Sequence, residues 1–247
     1  MNDDFFFGKP VGLEDFYTNE TGFKIRFGAE KVPNYMDKCN KFNLYRRHIE
    51  KFCNNSSGCE WNGKYCYPTE QTQSRLIMSF NGPFSGSLVY TSIAFDKAFG
   101  HAQRGVPAHA PYITDVDTMD ALQDRFPKEW ERTSSNRFRD PHSFQHGFAY
   151  YHFLMLPKTN TCREEIRRPI ATSYKDYDDY AYFATGNFHH LQTSLANLLS
   201  KKNKKFICIN DHMGNKVSDV DVARNGDVIT KFFKEYFPER SKFENEM

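Results

Sequence analysis

The 247-residue chain is 39% hydrophobic and 26% charged, a balance that suits a folded globular protein and excludes a disordered one. Net charge is only +2 and the sole basic run is Lys201, Lys202, Lys204 and Lys205, which reads as a solvated loop, so no nucleic acid is expected as a partner. No stretch of 18 apolar residues is present to span a membrane, and the acidic start Met1-Asn2-Asp3-Asp4 is unlike a signal peptide.

In chain order, the first feature is Asn2-Asp3-Asp4 ahead of Phe5-Phe6-Phe7. Adjacent carboxylates before a buried segment can hold a divalent metal against a diphosphate, because Mg2+ and Mn2+ favour hard oxygen ligands. The alternative is an exposed acidic terminus. Phe23, Ile25 and Phe27 then alternate with polar residues and predict a half-buried strand.

Four of the six cysteines, Cys39, Cys53, Cys59 and Cys66, crowd into one polar stretch, as in a small disulfide-stapled module. Three pairings are open. A zinc site is the competing reading, but the stretch has no CxxC pair. Sequons at Asn19, Asn54 and Asn55 fit a secretory compartment. Pro68 to Ser74 reads as a polar linker.

Leu88, Val89, Ile93, Phe95 and Phe99 predict a helix opening near Ser85 or Ser87 and capped by Gly100. Val106-Pro107-Ala108-His109-Ala110-Pro111 follows, where prolines stiffen the backbone around one histidine. His109 can serve as a general base or phosphate ligand, or simply hold a turn. Thr114 with Asp117 forms a capping-box pattern, and Pro127 should end that helix. In Thr133-Ser134-Ser135-Asn136-Arg137-Phe138-Arg139, the two arginines can clamp phosphate oxygens, or the segment is a basic surface loop. Asp140-Pro141 reads as the start of a helix carrying Phe144, Phe148, Tyr151 and Met155. His142, His146 and His152 read as helix-face residues rather than metal ligands.

Tyr180 to Ala184 suggests a strand, Leu191, Leu195, Leu198 and Leu199 an amphipathic helix, and Phe206 to Ile209 a buried central strand. Ser218 with Asp221 opens a last helix. Interleaved strands and helices predict an α/β fold, in which functional residues gather at the carboxyl ends of strands. Asn210 and Asp211 fall there, although a strand-ending turn explains them equally. P-loop, Rossmann GxGxxG, GxSxG and HExxH motifs do not occur, which removes several enzyme classes.

Taken together, these pieces resemble the Stealth family. Asn2 to Pro10 (NDDFFFGKP) resembles the end of the family's second block. Phe99 to Arg139 resembles the third, FG…R…VPAH-x-P with LQD-x-FP-E and a closing arginine. Phe206 to Asp211 with Phe237-Pro238…Ser241…Phe243-Glu244 resembles the fourth. CNNSSGCEWNGKYC resembles half of a Notch-type repeat, with Asn62 and Tyr65 in place of acidic calcium ligands, so little calcium binding is expected.

The resemblance implies a Rossmann-like layered sheet with flanking helices, incomplete at its N-terminus, plus a small disulfide-rich insert. Residues 1–38 would end the second block, 39–67 form the insert, and 68–247 continue the catalytic domain. It implies transfer of a sugar-1-phosphate from a nucleotide sugar to a glycan hydroxyl. In the lysosomal-enzyme branch the donor is UDP-GlcNAc, the acceptor a mannose, and UMP departs. Carried over by position, His109, Arg139 and Asp4 are catalytic, Asn2, Asp3, Arg137, Asn210 and Asp211 bind substrate, and Asp3 and Asp4 hold Mg2+ or Mn2+. A Golgi or secretory lumen and, as one option, a homodimer follow from the same likeness.

Departures from the pattern are Ala110 for a methionine, Val116 for an arginine, and the missing first block, a DIVYTWVDG-like strand and loop. The expectation is therefore a fragment. A catalytically inactive glycan-binding relative and a metal-dependent phosphodiesterase are the competing readings.

Overall fold

The computed structural model describes residues 5–36, 39, 50–61, 63, 65–80, 82–156, 170–173, 180–211, 213 and 217–239. Its first half runs β1 (Phe5–Phe7), a 3-10 turn (Leu13–Asp15), β2 (Tyr17–Thr18), β3 (Gly22–Lys31), α1 (Glu50–Asn54), β4 (Cys59–Trp61), β5 (Cys66–Pro68), α2 (Glu70–Met78), α3 (Pro83–Phe99) and β6 (Gly105–Pro107). It continues with α4 (Val116–Arg125), α5 (Pro127–Ser135), α6 (His146–Leu154), β7 (Ile170–Ser173), β8 (Tyr180–Ala184), α7 (Phe188–Lys201), β9 (Phe206–Asn210) and α8 (Asp219–Tyr236). The fold is mixed α/β with small sheets. It divides into two units, one of Met1–Arg26, Ala108–Ile113 and Ala171–Met247, the other of Phe27–Pro107 and Thr114–Ile170.

In the first unit β9 is central, antiparallel to β1 (Phe5 opposite Cys208) and parallel to β8 (Tyr182 opposite Cys208). The crossover from β8 to β9 runs through α7, as a parallel pair requires. Strand alternation sends Ile207 and Ile209 into a core with Leu191, Leu195, Leu198 and Phe232, so α7 and α8 cover that face. Phe206 and Cys208 point the other way, to a cluster with Ala110, Tyr180 and the partly buried Phe5, Val11 and Phe16. Both faces are thus covered, which is why Phe206 to Ile209 is an unbroken apolar run rather than alternating. Helix α8 starts as expected, Ser218 Oγ accepting the Asp221 N–H at 3.2 Å. Gly8 follows β1 because nothing larger fits: a Cβ there would lie 2.5 Å from the Lys204 carbonyl and 2.7 Å from the Tyr236 hydroxyl.

The second unit is mainly helical. Its core stacks Phe95 on Phe126 (5.0 Å between centroids) and places Phe126 against Phe144 (5.1 Å). A second cluster joins Val32, Tyr35, Ile77, Val89 and Phe148. The cysteine module is a β4–β5 hairpin pinned by Cys39–Cys59 and Cys53–Cys66. Of the three open pairings this one forms, and it consumes the sulfurs that a zinc site would need.

Several helix boundaries differ from expectation. Helix α2 replaces the anticipated linker: Thr69 caps it by accepting the Thr72 N–H (3.4 Å), and two of its three buried residues, Thr72 and Gln73, are polar, so Ile77 alone makes no apolar period to announce it. The buried Gln73 is satisfied by donating to the Pro68 carbonyl at 2.7 Å. Helix α3 begins earlier, at Pro83. The N-cap of α4 is Asp115 rather than Thr114, its carboxylate accepting from both the N–H (3.0 Å) and hydroxyl (2.7 Å) of Thr118. Pro127 ends α4 and also occupies the first turn of α5, whose last turn contains Thr133 to Ser135. Asp140-Pro141 makes a turn instead of a helix start, because the Asp140 carboxylate accepts the His142 N–H at 2.8 Å and Ser143 Oγ accepts the Asp140 N–H at 3.0 Å. The helix opens later, at His146.

Candidate functional site

The first unit holds most of the site candidates. The Ala108 N–H donates to the Arg26 carbonyl (2.9 Å) and the Ala110 N–H back to the Ala108 carbonyl (2.7 Å), making a tight turn with His109 at its apex. Buried Ala110 seats the turn on the sheet face that Cys208 also points to. His109 Nδ1 then lies 4.0 Å from the fully buried Cys208 thiol. Ala110, where the resemblance implies methionine, suits this small space.

Two residues beyond Cys208, Asn210 ends β9 on the same face, and Asp211 follows it. Asp211 Oδ1 accepts from the Thr185 hydroxyl (3.3 Å) and the Met213 N–H (3.0 Å), tying together the carboxyl ends of β8 and β9. Asn225 of α8 is buried behind them and donates to the Thr185 carbonyl at 3.2 Å. Because β1 runs antiparallel to β9, the chain enters β1 at this same end of the sheet. Asn2, Asp3 and Asp4 lie outside the described residues.

At the other end of β9, Arg26 lies over the Phe206 ring (4.8 Å), and Lys205 Nζ pairs with Asp15 Oδ1 at 2.5 Å. Burial alone would raise the Asp15 pKa. The Lys205 hydrogen bond and charge, with the Gly12 N–H, outweigh it and hold the carboxylate below its usual range.

Arg137 and Arg139 belong to the second unit, on the exposed loop between α5 and α6. Arg139 lies over the Phe84 ring (5.5 Å) and Arg137 over Phe138 (5.2 Å), whose side chain is 76% exposed. The loop's base is fixed by the Phe144 N–H donating to Thr133 Oγ1 at 2.7 Å.

The third-block motif also contains an arginine that sequence reasoning left without a role. Arg104 is buried and paired with buried Asp96, which also accepts from the Tyr35 hydroxyl (2.6 Å) and contacts His101 Nδ1 (2.6 Å). Its guanidinium donates further to Ser92 Oγ at 3.1 Å. Burial, with the Asp96 carboxylate beside it, pushes the Tyr35 hydroxyl above the usual phenol range. The signal was Asp96, the lone acidic residue of α3, eight residues before Arg104.

The three histidines read as helix-face residues separate. His142 lies in the turn, 3.4 Å from Ser74 Oγ. His146 packs on Trp130 at 4.3 Å, and burial lowers its pKa. His152 is buried and donates from Nε2 to the Gly105 carbonyl at 2.9 Å. Burial lowers its pKa to about 4, helped by the Arg104 charge and opposed by the Gly105 bond. Among the described residues, the one group of potential metal ligands is Cys39, Cys59 and Cys66, which the disulfides occupy.

Residues 108–156 match Stealth protein conserved region 3, and residues 196–247 match conserved region 4. Mouse and human N-acetylglucosamine-1-phosphotransferase subunits alpha/beta are each 39% identical over 72 residues, 29% of this chain and 6% of the relative. An exopolysaccharide phosphotransferase of Streptomyces coelicolor is 24% identical over 252 aligned residues, 99% of this chain and 32% of the relative. The chain therefore spans less than a third of the length of each of these relatives. With the His109 turn and Arg139 in one conserved region, β9 with Asn210-Asp211 in the other, and both in family order, the chain belongs to the Stealth family.

Proposed function

We propose that this chain forms part of a transferase that moves a sugar-1-phosphate from a nucleotide sugar to a glycan hydroxyl. The preferred substrates are UDP-GlcNAc and a mannose hydroxyl, with UMP as the departing product, in a Golgi or secretory lumen. The observation that carries the reading is the placement of His109: a turn seated on the sheet presents it over the face on which β9 delivers Asn210.

The chemistry follows from charge. The acceptor oxygen attacks the sugar-side phosphorus, the new O–P bond forms, and the bridging P–O bond breaks with its electron pair leaving on UMP. His109 takes the proton that the acceptor hydroxyl loses. Arg139, with Arg137, donates to the phosphate oxygens as negative charge grows there. Asn210 and Asp211 orient the substrate from the strand end. Asp3 and Asp4 precede Phe5 in sequence, and β1 begins at the end of the sheet where Asp211 stands, which supports them as the hard oxygen ligands of a Mg2+ or Mn2+ ion. When bound, that ion would neutralise diphosphate charge. The Rossmann-like layering and the degenerate Notch-type character of the Cys39–Cys66 insert belong to the same reading.

The test is incubation with UDP-GlcNAc and a mannoside while following UMP. UMP release should require the mannoside, and His109→Ala should lower turnover about 100-fold or more. Turnover of the variant within a few-fold of the parent removes His109 from the role of base. Donor hydrolysis independent of acceptor would instead favour a phosphodiesterase.

A further inference from the structure

A cleft of about 330 Å3 opens in the second unit between α2, α3, α5 and the turn at residues 140–145. Its volume is in the range of small-molecule sites. No residue lining it takes part in the transfer reading above.

The floor is apolar, made by Ile77, Ile93 and Ala94. The rim is not. Lys97, Arg132 and His142 supply donors, while Glu70 and Glu129 supply acceptors. Both signs of charge stand at the opening: Lys97 Nζ lies 3.3 Å from Glu70 Oε1, and Arg132 stands over the Tyr90 ring at 5.8 Å. His142 is pinned edge-on to the same ring at 5.7 Å. Burial, with the Glu129 charge, raises the Tyr90 pKa, although the Arg132 hydrogen bond and charge oppose it. Tyr90 is thus a neutral, fixed platform between two polar side chains.

This combination selects a ligand class. A phosphate or nucleotide gains from the three bases but is repelled by two carboxylates. A wholly apolar ligand would strip water from four charged groups and a histidine without replacing their hydrogen bonds. A pyranose satisfies both surfaces, because its C–H face lies against an apolar floor while each hydroxyl both donates and accepts. We propose that this cleft binds a neutral saccharide of one or two rings, at a site separate from the residues that carry the transfer reading.

The test uses the intact chain, with ligand-observed NMR and calorimetric titration of methyl α-mannoside, N-acetylglucosamine, methyl β-galactoside and, as the anion control, inorganic phosphate. At least one sugar should bind saturably. Glu129→Gln, which keeps shape and removes charge, and Arg132→Ala should each weaken that binding tenfold or more, while Lys231→Ala, an exposed change on α8, leaves it unchanged. Thermal melts confirm that each variant is folded. The proposal is overturned if no sugar saturates, if both cleft variants bind as the parent does, or if phosphate binds more tightly than every sugar. Because sugar binding is read without turnover, it can fail while UMP release survives, and the reverse outcome removes only the transfer reading.

Discussion

The two units place their polar residues in opposite ways. In the second unit they are buried and mutually satisfied: Asp96 gathers Arg104, Tyr35 and His101, and Gln145 donates to Ser87 Oγ (2.7 Å) and Thr91 Oγ1 (2.9 Å) inside the helical core. In the first unit the two core clusters are apolar, the buried polar residues among those described are Arg26, Thr185 and Asn225, and other polar groups stand at strand ends and on a turn, at Asn210, Asp211 and His109. A buried polar network fixes one packing and leaves its members no capacity for a ligand. A strand end keeps that capacity. The contrast assigns a mainly architectural role to Asp96 and Arg104 and a chemical one to the rim of the β8–β9 sheet.

The largest effect expected from this contrast is at Asp96. Replacing it with Ala strands the buried Arg104 guanidinium, and such losses cost about 3–5 kcal/mol. Urea titration should show that fall, and hydrogen exchange should locate it in α3 and β6. Adding Arg104→Met should recover part of the loss. If Asp96→Ala unfolds within about 1 kcal/mol of the parent, the hub is not what holds this unit together.

The second effect is pH-dependent and again belongs to the second unit. His152 titrates at about 4 in the folded chain, while an unfolded histidine titrates near 6.5. Between those values the unfolded chain binds a proton that the folded chain refuses, so stability falls as pH drops from about 6.5 towards 4 and then levels off. The loss attributable to this group is at most about 3 kcal/mol. Denaturation curves across that window should diverge between the parent and His152→Gln. Parallel curves would mean that His152 is solvated when folded.

A smaller and opposite case tests the first unit. Gly8→Ala forces a methyl against the Lys204 carbonyl and the Tyr236 hydroxyl, so β1 or α8 must shift, at a cost of about 1–3 kcal/mol. Faster exchange should appear in β9 and α8. Protection in α3 to α6 that falls by as much would show that the two units do not respond separately.

How far the sequence revealed this division depended on what kind of residue carried it. Apolar periodicity disclosed β3, β8, β9, α3, α7 and α8, because each buries a face that alternates or repeats. Ser218 was legible as a cap because its hydroxyl bonds locally. Helix α2 was not legible, since only Ile77 among its three buried residues is apolar, while Thr72 pairs with the capping Thr69 and Gln73 with Pro68 of the preceding hairpin. Asp140-Pro141 misled for a related reason. The same side-chain bond that caps a helix also closes a turn, and Pro141 sits where a Cβ on Gly86 would approach its own Cβ to 2.8 Å, fixing the turn on α3. At the site, His109 was marked by its flanking prolines and Asn210-Asp211 by position after a buried strand. Thr185 and Asn225 were invisible because only the tertiary fold brings them to the strand ends.

The smallest structural effect is expected at Arg139, and it is the most informative for function. Its guanidinium rests on the Phe84 ring at 5.5 Å on an exposed loop, a contact worth about 0.5–1 kcal/mol at most in such a setting. Arg139→Lys should therefore leave the urea midpoint almost unmoved. A bidentate clamp on phosphate oxygens is different, because a lysine ammonium cannot reproduce the planar fork. UMP release in the complete transferase should fall about 100-fold or more if Arg139 meets the growing charge. Unchanged turnover would return the Arg137–Arg139 segment to the basic surface loop that its exposure also allows. A large loss of stability would place Arg139 with Arg104 among the residues that build the unit.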